Sequence, residues 1–323
     1  MSIKQLQMEG IAVARYDSYR RAFGEALAEL GGKCRDLVVL DADTPRSTGT
    51  ILFAERFPER FVNVGISEQD LVATAAGLAI AGKIPVAAAF AVFLMRAWEQ
   101  IRNTIARDGL NVKLVGTHSG FSAHLDGSSH QSLEDIAVMR TLPRFTVLVP
   151  ADAVAVRSLT RQAVLEHRGP LYMRLGRDNA PVVYSEEEEL RIGGARVLEE
   201  AGDAVILTCG AMVGVALEAS RILAGKGLRV GVVDVYTVKP LDEETILRQA
   251  RKARLVVTLE EHSVVGGLGS AVAELLAEKM PKRVLRLGVA EAFGTSARSY
   301  EQLLEYMKLA PRHVAKAIGG ELG

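Results

Sequence analysis

The chain has 323 residues, and at about 150 residues per domain this length predicts about two domains. Residues of the set AVILMFWYC make up 49% of the chain and charged residues 24%, which excludes a disordered polyelectrolyte and is typical of a globular protein with large cores. Because nucleic acids and anionic membranes attract basic surfaces, the balance of 39 basic against 39 acidic side chains argues against either as the main partner.

The first part of the chain alternates apolar β-branched segments with amphipathic helical ones, as a parallel α/β sheet requires. Asp17 or Ser18 can cap a first helix, and Gly31 and Gly32 can end it. The intervals between the strands are long enough for crossover helices, so the pattern predicts a doubly wound domain over residues 1–178. Its predicted strands are 37–41, 61–64, 84–90, 112–116, 145–149 and 171–175.

The regular pattern stops near Arg177. Residues 179–191 contain Pro181 and the acidic run 186–189, and we expect a solvated linker there. A second, smaller α/β domain is predicted over residues 192–323. Its predicted strands are 204–208, 229–235, 255–259 and 284–287, with a helix near 311–318.

The cysteines and the apolar stretches bear on location. Cys34 and Cys209 stand far apart, so neither a disulfide framework nor a cysteine metal site is expected. The first ten residues lack the apolar stretch of a secretory signal. The apolar stretch 71–95 has Lys83 near its middle, which argues against a membrane span. We therefore expect a cytoplasmic protein that does not bind membranes.

An acidic residue follows the strand predicted at 61–64. Ser67 can cap the next helix, which places Glu68 in its first turn. Ligands of open α/β sheets bind at this edge, although an isolated acid at a helix start more often only complements the helix dipole. Glu68 is therefore a candidate whose role depends on its neighbours.

The loop 117–131 holds three of the six histidines in the chain, His118, His124 and His130, together with Asp126. A functional site explains this density better than chance does. The histidines are spaced six residues apart, which does not place ligands on one helix face, and no Glu or Cys in the loop completes a zinc pattern. We therefore expect no metal site there.

Short strings occur in a fixed order along the chain. In the first predicted domain they are GISEQ at 65–69, FAVF at 90–93, RAWEQ at 96–100, DGSSHQ at 126–131 and LGR at 175–177. In the second they are DVYTVKPLD at 234–242, EEH at 260–262 and GGLG at 266–269. Their order and spacing resemble the C-terminal half of thiamine-diphosphate enzymes of the transketolase family. The resemblance covers nearly the whole chain and implies a pyrimidine-binding domain followed by a transketolase C-terminal domain.

The resemblance implies transfer of a two-carbon ketol unit between sugars or sugar phosphates. In that family thiamine diphosphate also contacts a diphosphate-binding domain, which holds Mg²⁺ through a Gly-Asp-Gly string followed by Asn. The chain lacks that string, and no suitable Asn follows the nearest one, Gly202-Asp203-Ala204. We therefore expect a split enzyme in which this chain is the C-terminal subunit. An N-terminal subunit would bind the diphosphate and provide most of the contacts to Mg²⁺. The two kinds of subunit would form an α2β2 heterotetramer.

The same resemblance assigns residues to the cofactor. Glu68 would hydrogen-bond the pyrimidine ring nitrogen and act in catalysis by promoting the tautomer that removes the thiazolium proton. Phe93 would stack on the pyrimidine, with Phe90 supporting it. Asp43 and Arg96 are the other cofactor-binding candidates.

Four candidates match family positions that hold the phosphate of a sugar phosphate, and guanidinium groups suit that task. Asp126 and His130 would contact substrate hydroxyls, and His130 is also a catalytic candidate. The four phosphate-binding candidates are Arg15, Ser47, His118 and Arg177.

One loop departs from the family pattern, because Phe121, His124 and Leu125 precede Asp126 where transketolases tend to have small residues and an acid. Apolar bulk near the hydroxyl-binding residues predicts a deoxy, branched or otherwise modified sugar. Two enzyme alternatives stay open, the β subunit of a 2-oxoacid dehydrogenase and half of an enzyme similar to deoxyxylulose-phosphate synthase. A noncatalytic scaffold is a third alternative.

Overall fold

The computed structural model describes residues 16–177, 179–186 and 188–323. We call residues 16–191 the N-terminal half and residues 192–323 the C-terminal half. The strands are β1 (Tyr16–Ser18), β2 (Leu37–Asp41), β3 (Phe61–Asn63), β4 (Ile84–Phe90), β5 (Lys113–Thr117), β6 (Thr146–Leu148), β7 (Leu171–Arg174), β8 (Asn179–Pro181), β9 (Arg196–Glu199), β10 (Ala204–Thr208), β11 (Val230–Asp234), β12 (Thr237–Lys239), β13 (Leu255–Ser263) and β14 (Val284–Val289). The α-helices are α1 (Tyr19–Lys33), α2 (Pro45–Thr48), α3 (Ile51–Arg56), α4 (Glu68–Ile80), α5 (Ala91–Leu94), α6 (Trp98–Gln100), α7 (Asp135–Arg140), α8 (Ala153–Leu165), α9 (Met212–Ala224), α10 (Glu243–Lys252), α11 (Leu268–Lys279), α12 (Tyr300–Tyr306) and α13 (Pro311–Leu322).

The predicted α/β class is confirmed, and every strand predicted from the sequence overlaps an observed one. The short strands β1, β8, β9 and β12 have no counterpart among the predicted strands. Each has only three or four residues.

The first sheet has seven strands in the order β12-β6-β7-β5-β4-β2-β3. Its pairs are parallel except at one edge, where β12 runs antiparallel to β6 and Thr237 lies opposite Leu148. The strands that the N-terminal half contributes are all parallel, as predicted, and β12 adds one antiparallel edge strand. Because β12 belongs to the C-terminal half, the two halves share this sheet.

Alternate residues of the central strands point into two different cores. In β2, Val38 and Leu40 belong to the cluster on one face, while Leu37 and Val39 belong to the cluster on the other. All five residues of β2 are buried, as expected for a strand with helices on both sides of its sheet. This is the doubly wound arrangement that the sequence predicts.

The second sheet has five strands in the order β14-β13-β10-β11-β9. Strands β10, β11, β13 and β14 pair in parallel, and β9 is an antiparallel edge strand. A third apolar cluster fills one face of this sheet with residues of α9, α12 and α13, and it also includes Phe121 and Leu133 from the N-terminal half. The smaller second unit is thus α/β as predicted, and it packs against a loop of the first.

Helix α1 begins as predicted but ends later. Ser18 is its N-cap, with Oγ accepting from the Arg21 backbone N–H, and the helix continues through Gly31 and Gly32 to Lys33. The predicted stop at the two glycines is wrong. A Cβ on Gly31 would lie 2.3 Å from the Phe57 ring, so this glycine permits close packing inside the helix.

Part of the segment 179–191 is buried. The prediction that it is a solvated linker is therefore wrong. Ala180, Tyr184 and Leu190 are each at most 5% exposed and belong to a core of the N-terminal half. The Asp152 carboxylate accepts hydrogen bonds from the Val183 and Tyr184 backbone N–H groups at 2.6 and 2.9 Å. The acidic run in this segment favours an exposed linker, so the sequence alone does not predict these buried contacts.

The apolar stretch 71–95 is divided between α4, β4 and α5. Lys83 lies in the turn before β4 and forms an ion pair with Asp36 at 2.9 Å. Among the described residues, no helix combines the length and the apolar character that a bilayer crossing needs.

Substitution Tyr184→Phe tests whether the segment 179–191 stabilises the fold. The Tyr184 hydroxyl donates to Asp234 Oδ2 at 2.6 Å, and Asp234 Oδ1 has no hydrogen-bond partner among the described residues. Losing the hydroxyl leaves a buried carboxyl group unsatisfied, and we expect the free energy of unfolding in urea to fall by about 1–3 kcal/mol. Exposed Ser185→Ala should change it by less than about 0.5 kcal/mol. Equal, negligible effects would support a solvated linker instead.

Candidate active site

The candidate residues lie at the carboxyl ends of the parallel strands in the first sheet, where ligands of doubly wound folds bind. This edge is built from loops of five strands. Asp43 and Ser47 follow β2, Glu68 follows β3, Phe90 ends β4 and Phe93 follows it, His118, Asp126 and His130 follow β5, and Arg177 follows β7.

Glu68 is the first residue of α4 and is 6% exposed. Ser67 occupies the N-cap position, but its side chain makes no capping hydrogen bond, so the expected Ser67 cap is wrong. Within the part of the chain that the structure describes, the Glu68 carboxylate has no hydrogen-bond partner. Its oxygens are not among the fully buried unsatisfied atoms, so they reach the solvent-filled edge of the sheet, where a ligand could bond to them.

Four aromatic rings form one cluster beside this edge. The Phe90 and Phe93 rings are stacked with centroids 5.2 Å apart and planes at 5°. Phe90 also stacks on His118, with centroids 3.6 Å apart, and the His130 ring meets Phe93 edge-on at 5.4 Å. The structure therefore brings two cofactor-binding candidates together with two substrate-binding candidates, on a surface that suits a planar ring.

His118 has an unusual backbone and an electrically neutral ring. Its φ of 56° lies in the left-handed region, which residues other than glycine adopt at a cost and which concentrates at functional sites. Its Nδ1 lies 3.0 Å from the Thr117 hydroxyl. Burial lowers the pKa of His118 to about 3, and the nearby Arg20 and Arg177 cations add to this effect. The ring can therefore exchange hydrogen bonds with a substrate without carrying charge.

Arg177 is paired with the histidine-containing loop. Its Nη1 lies 2.7 Å from Asp126 Oδ2, and its backbone N–H donates to Ser122 Oγ at 2.9 Å. Both charged side chains are partly exposed. The ion pair joins the phosphate-binding candidate to the hydroxyl-binding candidate, so an anionic substrate would compete with Asp126 for the guanidinium group.

Arg20 is a site residue that the sequence analysis did not find. From α1, its Nε donates to the Arg177 backbone oxygen at 2.8 Å and its Nη1 to the Ser47 backbone oxygen at 2.7 Å. It thus fixes the backbone of two phosphate-binding candidates. The neighbouring Arg21 instead faces solvent in an ion pair with Glu25. The helical periodicity of α1 could have distinguished the two arginines, because it shows which one lies closer to the buried face of the helix.

Asn63 is a second residue that the sequence analysis did not find. Its Oδ1 accepts from the backbone N–H groups of Asp43 and Gly65, both at 3.0 Å, and its Nδ2 donates to Asp43 Oδ1 at 3.1 Å. Asp43 has a φ of 64°, so its turn is also strained. Asn63 therefore ties the Asp43 turn to the turn that leads into Glu68.

Two candidates stand apart from these contacts. Arg96 is exposed, and within the described chain it forms no hydrogen bond or ion pair with the other candidates. Arg15 lies outside the described residues.

The apolar bulk expected from Phe121 does not reach the site. Phe121 is 0% exposed and packs in the core of the C-terminal half. His124 is 8% exposed, and Leu125, at 63%, is the exposed member of the three. The expectation that Phe121 restricts the substrate is therefore wrong, because its side chain anchors the loop from behind.

Comparison with known families divides the chain into two matches. Residues 17–182 match the model of the transketolase pyrimidine-binding domain, and residues 193–314 match the model of the transketolase C-terminal domain. Together the matches cover most of the chain.

Three similar proteins match nearly end to end. A Methanocaldococcus jannaschii protein named as a transketolase C-terminal section is 43% identical over 95% of this chain and 97% of its own length. The 6-deoxy-6-sulfo-D-fructose transketolase subunit SqwH of Clostridium sp. strain MSTE9 is 41% identical over 92% of both chains. A solved structure described as a split-gene transketolase, inactive beta4 tetramer, is 47% identical with a TM-score of 0.87, over 94% of this chain and 98% of its own.

The neutral state of His118 makes a testable difference to stability. The unfolded chain takes up a proton at this ring below its ordinary pKa of 6.5, whereas the folded chain does so only near 3. The free energy of unfolding should therefore fall as pH drops from about 6.5, by up to about 1.4 kcal/mol per pH unit. Urea titrations of the wild type and His118→Asn should diverge in this direction. An imidazole NMR signal of His118 that titrates near 6.5 would refute the assignment.

Proposed function

The chain belongs to the transketolase family, and we propose that it supplies the pyrimidine-binding side of a thiamine-diphosphate site for ketol transfer. The observation that carries the proposal is the Glu68 carboxylate, which is 6% exposed and has no hydrogen-bond partner among the described residues. It stands at the ligand-binding edge of the sheet, on a helix that packs against the α5 turn bearing Phe93.

The residues present fit the pyrimidine ring of the cofactor. A carboxyl group can exchange a proton with a ring nitrogen, and the stacked Phe90 and Phe93 rings offer a flat apolar face. We assign Glu68, Phe93 and Phe90 to the cofactor, with Asp43 as a polar neighbour held by Asn63. Arg96, exposed and outside the cluster, gains no support from these contacts.

A second polypeptide would complete the site. The sequence contains no Gly-Asp-Gly string to hold Mg²⁺ and the diphosphate, which we assign to a separate N-terminal subunit. Large apolar side chains are exposed in segments that carry candidates, Ile66 at 83% and Leu125 at 63%, and a subunit interface would cover them. The split-gene relative is described as an inactive beta4 tetramer, which supports a chain that needs a partner. We propose an α2β2 heterotetramer.

Thiamine diphosphate, when bound, supplies the nucleophilic carbon that cleaves and remakes the bond beside a ketose carbonyl. The residues of this chain prepare and direct that chemistry. Glu68 would hold and return a proton at the pyrimidine nitrogen, while Phe93 orients the ring. His130, at the edge of the same aromatic cluster, would hydrogen-bond a reacting oxygen and move a proton to or from the substrate, while His118 would hydrogen-bond the substrate phosphate.

The preferred substrate would carry an anionic terminus. Arg20 and Arg177 belong to one hydrogen-bonded unit with Ser47, and guanidinium groups suit tetrahedral anions. A phosphate and a sulfonate share this chemistry, and the relative SqwH is named for a sulfo-sugar. We propose sugar phosphates as the substrates. Comparing kcat/KM for a phosphorylated and a sulfonated sugar tests this choice.

The proposal also covers the domain boundaries of the chain and the cell compartment of the protein. We assign residues 1–178 to the pyrimidine-binding domain and residues 192–323 to the C-terminal domain, a division that the limits of the two family matches support. Cys34 and Cys209 are both free, which supports a reducing cytoplasm.

The purified chain should show no ketol transfer by itself when given thiamine diphosphate and Mg²⁺. The reason is that the sequence lacks the Gly-Asp-Gly string that would hold the metal and the diphosphate. A coupled assay with a ketose phosphate and an aldose phosphate should register activity after the N-terminal subunit is added. Turnover by the chain alone would refute the split arrangement.

Substitution Glu68→Gln should slow exchange of the cofactor's thiazolium proton for deuterium by at least about a hundredfold in the assembled complex, the scale of a positioned acid or base. Cofactor affinity should change by less than about tenfold, because the amide still hydrogen-bonds the pyrimidine. Exposed Asp70→Asn on the same helix is the matched control and should leave exchange unchanged. An unaltered exchange rate in Glu68→Gln would return Glu68 to a purely structural role.

Substitution Arg177→Ala should lower kcat/KM for phosphorylated sugars by the equivalent of about 2–4 kcal/mol, since a charge-assisted contact is lost. Arg20→Ala should lower it in the same direction, because the Arg177 and Ser47 backbones lose the donor that they share. Unphosphorylated analogues should change little. Arg21→Ala, next to Arg20 but exposed, is the control. The wild type is assayed in parallel with a sulfonated sugar. A higher kcat/KM for the sulfonate identifies it as the substrate, and equal losses on charged and uncharged sugars would refute anion binding.

A further inference from the structure

The loop of residues 117–131, here called the site loop, is held by the C-terminal half. The Phe121 backbone N–H donates to Glu261 Oε1, and the Phe121 side chain is fully buried in the C-terminal core. At the end of the loop, Gln131 Nε2 donates to the Thr295 backbone oxygen at 2.9 Å. The substrate-binding candidates on this loop are therefore positioned by residues from β13 onward.

Glu261 is built into this contact from both sides. Its Oε2 accepts a hydrogen bond from the Tyr300 hydroxyl at 3.0 Å, while Oε1 faces the site loop. Gly120 has a φ of +59°, and a Cβ there would lie 2.4 Å from Oε1. The loop backbone can approach the carboxylate this closely because residue 120 is glycine.

Burying the Glu261 carboxyl group costs free energy, so stability alone does not explain a glutamate at this position. Glu261 is 5% exposed, and burial raises its pKa to about 7, against the lowering effects of Arg174, the Phe121 N–H and the Tyr300 hydroxyl. Apolar residues of similar volume often stabilise a buried position as well as an ionisable group does. A carboxylate here gives instead a directional bond to the loop backbone.

We propose that Glu261 is a positioning residue for sugar binding, which by holding the Phe121 backbone fixes the site loop and with it His118, Asp126 and His130. The inference rests on the proposed function of the site and deepens it. It gives the C-terminal half a direct influence on substrate affinity. Both carboxylate oxygens of Glu261 are engaged by donors of the protein, the Phe121 N–H and the Tyr300 hydroxyl, so Glu261 acts through the loop and we expect the larger effect on substrate binding.

Glu260 provides a matched control in the adjacent position. It is 1% exposed, burial raises its pKa to about 7 as well, and it also accepts backbone hydrogen bonds. Its donors, however, are the Leu268 and Gly269 N–H groups at the start of α11, at 2.7 and 2.8 Å. The two carboxylates thus share burial and chemistry but hold different elements, and among the described residues Glu260 forms no hydrogen bond or ion pair with the site loop.

The test compares Glu261→Leu, Glu261→Gln and Glu260→Gln in the complex reconstituted with the N-terminal subunit. Glu261→Leu should raise KM for a ketose phosphate by about tenfold, the scale of one hydrogen bond, with kcat within about threefold. Glu261→Gln retains an acceptor oxygen and should keep KM within about threefold of the wild type. Glu260→Gln should lower Tm while leaving KM unchanged.

A second readout does not depend on activity. Amide hydrogen exchange of the peptide that contains Phe121 should quicken by about tenfold in Glu261→Leu and stay near the wild-type rate in Glu260→Gln. Unchanged KM and exchange in folded Glu261→Leu would overturn the proposal. If that variant does not fold, Tyr300→Phe removes the other donor, and the same two measurements decide. A wild-type complex without ketol transfer refutes the proposed function instead, while the exchange result still tests the anchor.

Discussion

A buried ion pair between Arg174 and Asp135 fixes how the site elements meet. Arg174 Nε lies 2.9 Å from Asp135 Oδ2, with the two side chains 6% and 0% exposed, and Tyr172 donates to the same oxygen at 2.7 Å. Arg174 Nη2 also donates to the backbone oxygen of Glu261 in the C-terminal half at 2.9 Å. Breaking such a pair by removing one partner costs about 3–5 kcal/mol. Asp135 begins α7 just after the site loop, and Arg174 ends β7 just before Arg177, so the pair lies beside both segments that carry the substrate-binding candidates.

The fold class and the position of the site could be predicted because both depend on local sequence. Buried strands show as apolar runs, and ligand-binding loops follow their carboxyl ends. The short strands β1, β8, β9 and β12 could not be predicted, because each is defined by pairing with a segment elsewhere in the chain, as β12 is by pairing with β6. Ser67 shows a similar limit: its residue type favours an N-cap, but whether the hydroxyl reaches a backbone N–H depends on a rotamer that tertiary packing decides.

The contacts that sequence inspection could not find join residues far apart in the chain. The Phe121 N–H and the Glu261 carboxylate are separated by 140 residues, and Arg20 and Arg177 by 157. Phe121 looks like a substrate-side residue because its sequence neighbours are polar, yet a core of the other half surrounds it. Tyr184 likewise sits beside an acidic run but is anchored to Asp234 across 50 residues. The polarity of a segment predicts its exposure to solvent only where no element from elsewhere in the chain packs over it.

The difference between the two interfaces of this chain explains which one can join separate polypeptides. Between the halves lie a shared sheet, a buried ion pair and an aromatic side chain inserted into the opposite core, groups that would be unsatisfied or exposed if the halves separated. At the edge of the sheet that carries the candidate site, Ile66 and Leu125 are exposed, and the Glu68 carboxylate has no hydrogen-bond partner within the described ranges. Such a surface tolerates water until a partner covers it. In the arrangement proposed here, the C-terminal half stays with the pyrimidine-binding half because it holds the site loop, whereas the diphosphate side is supplied by another subunit.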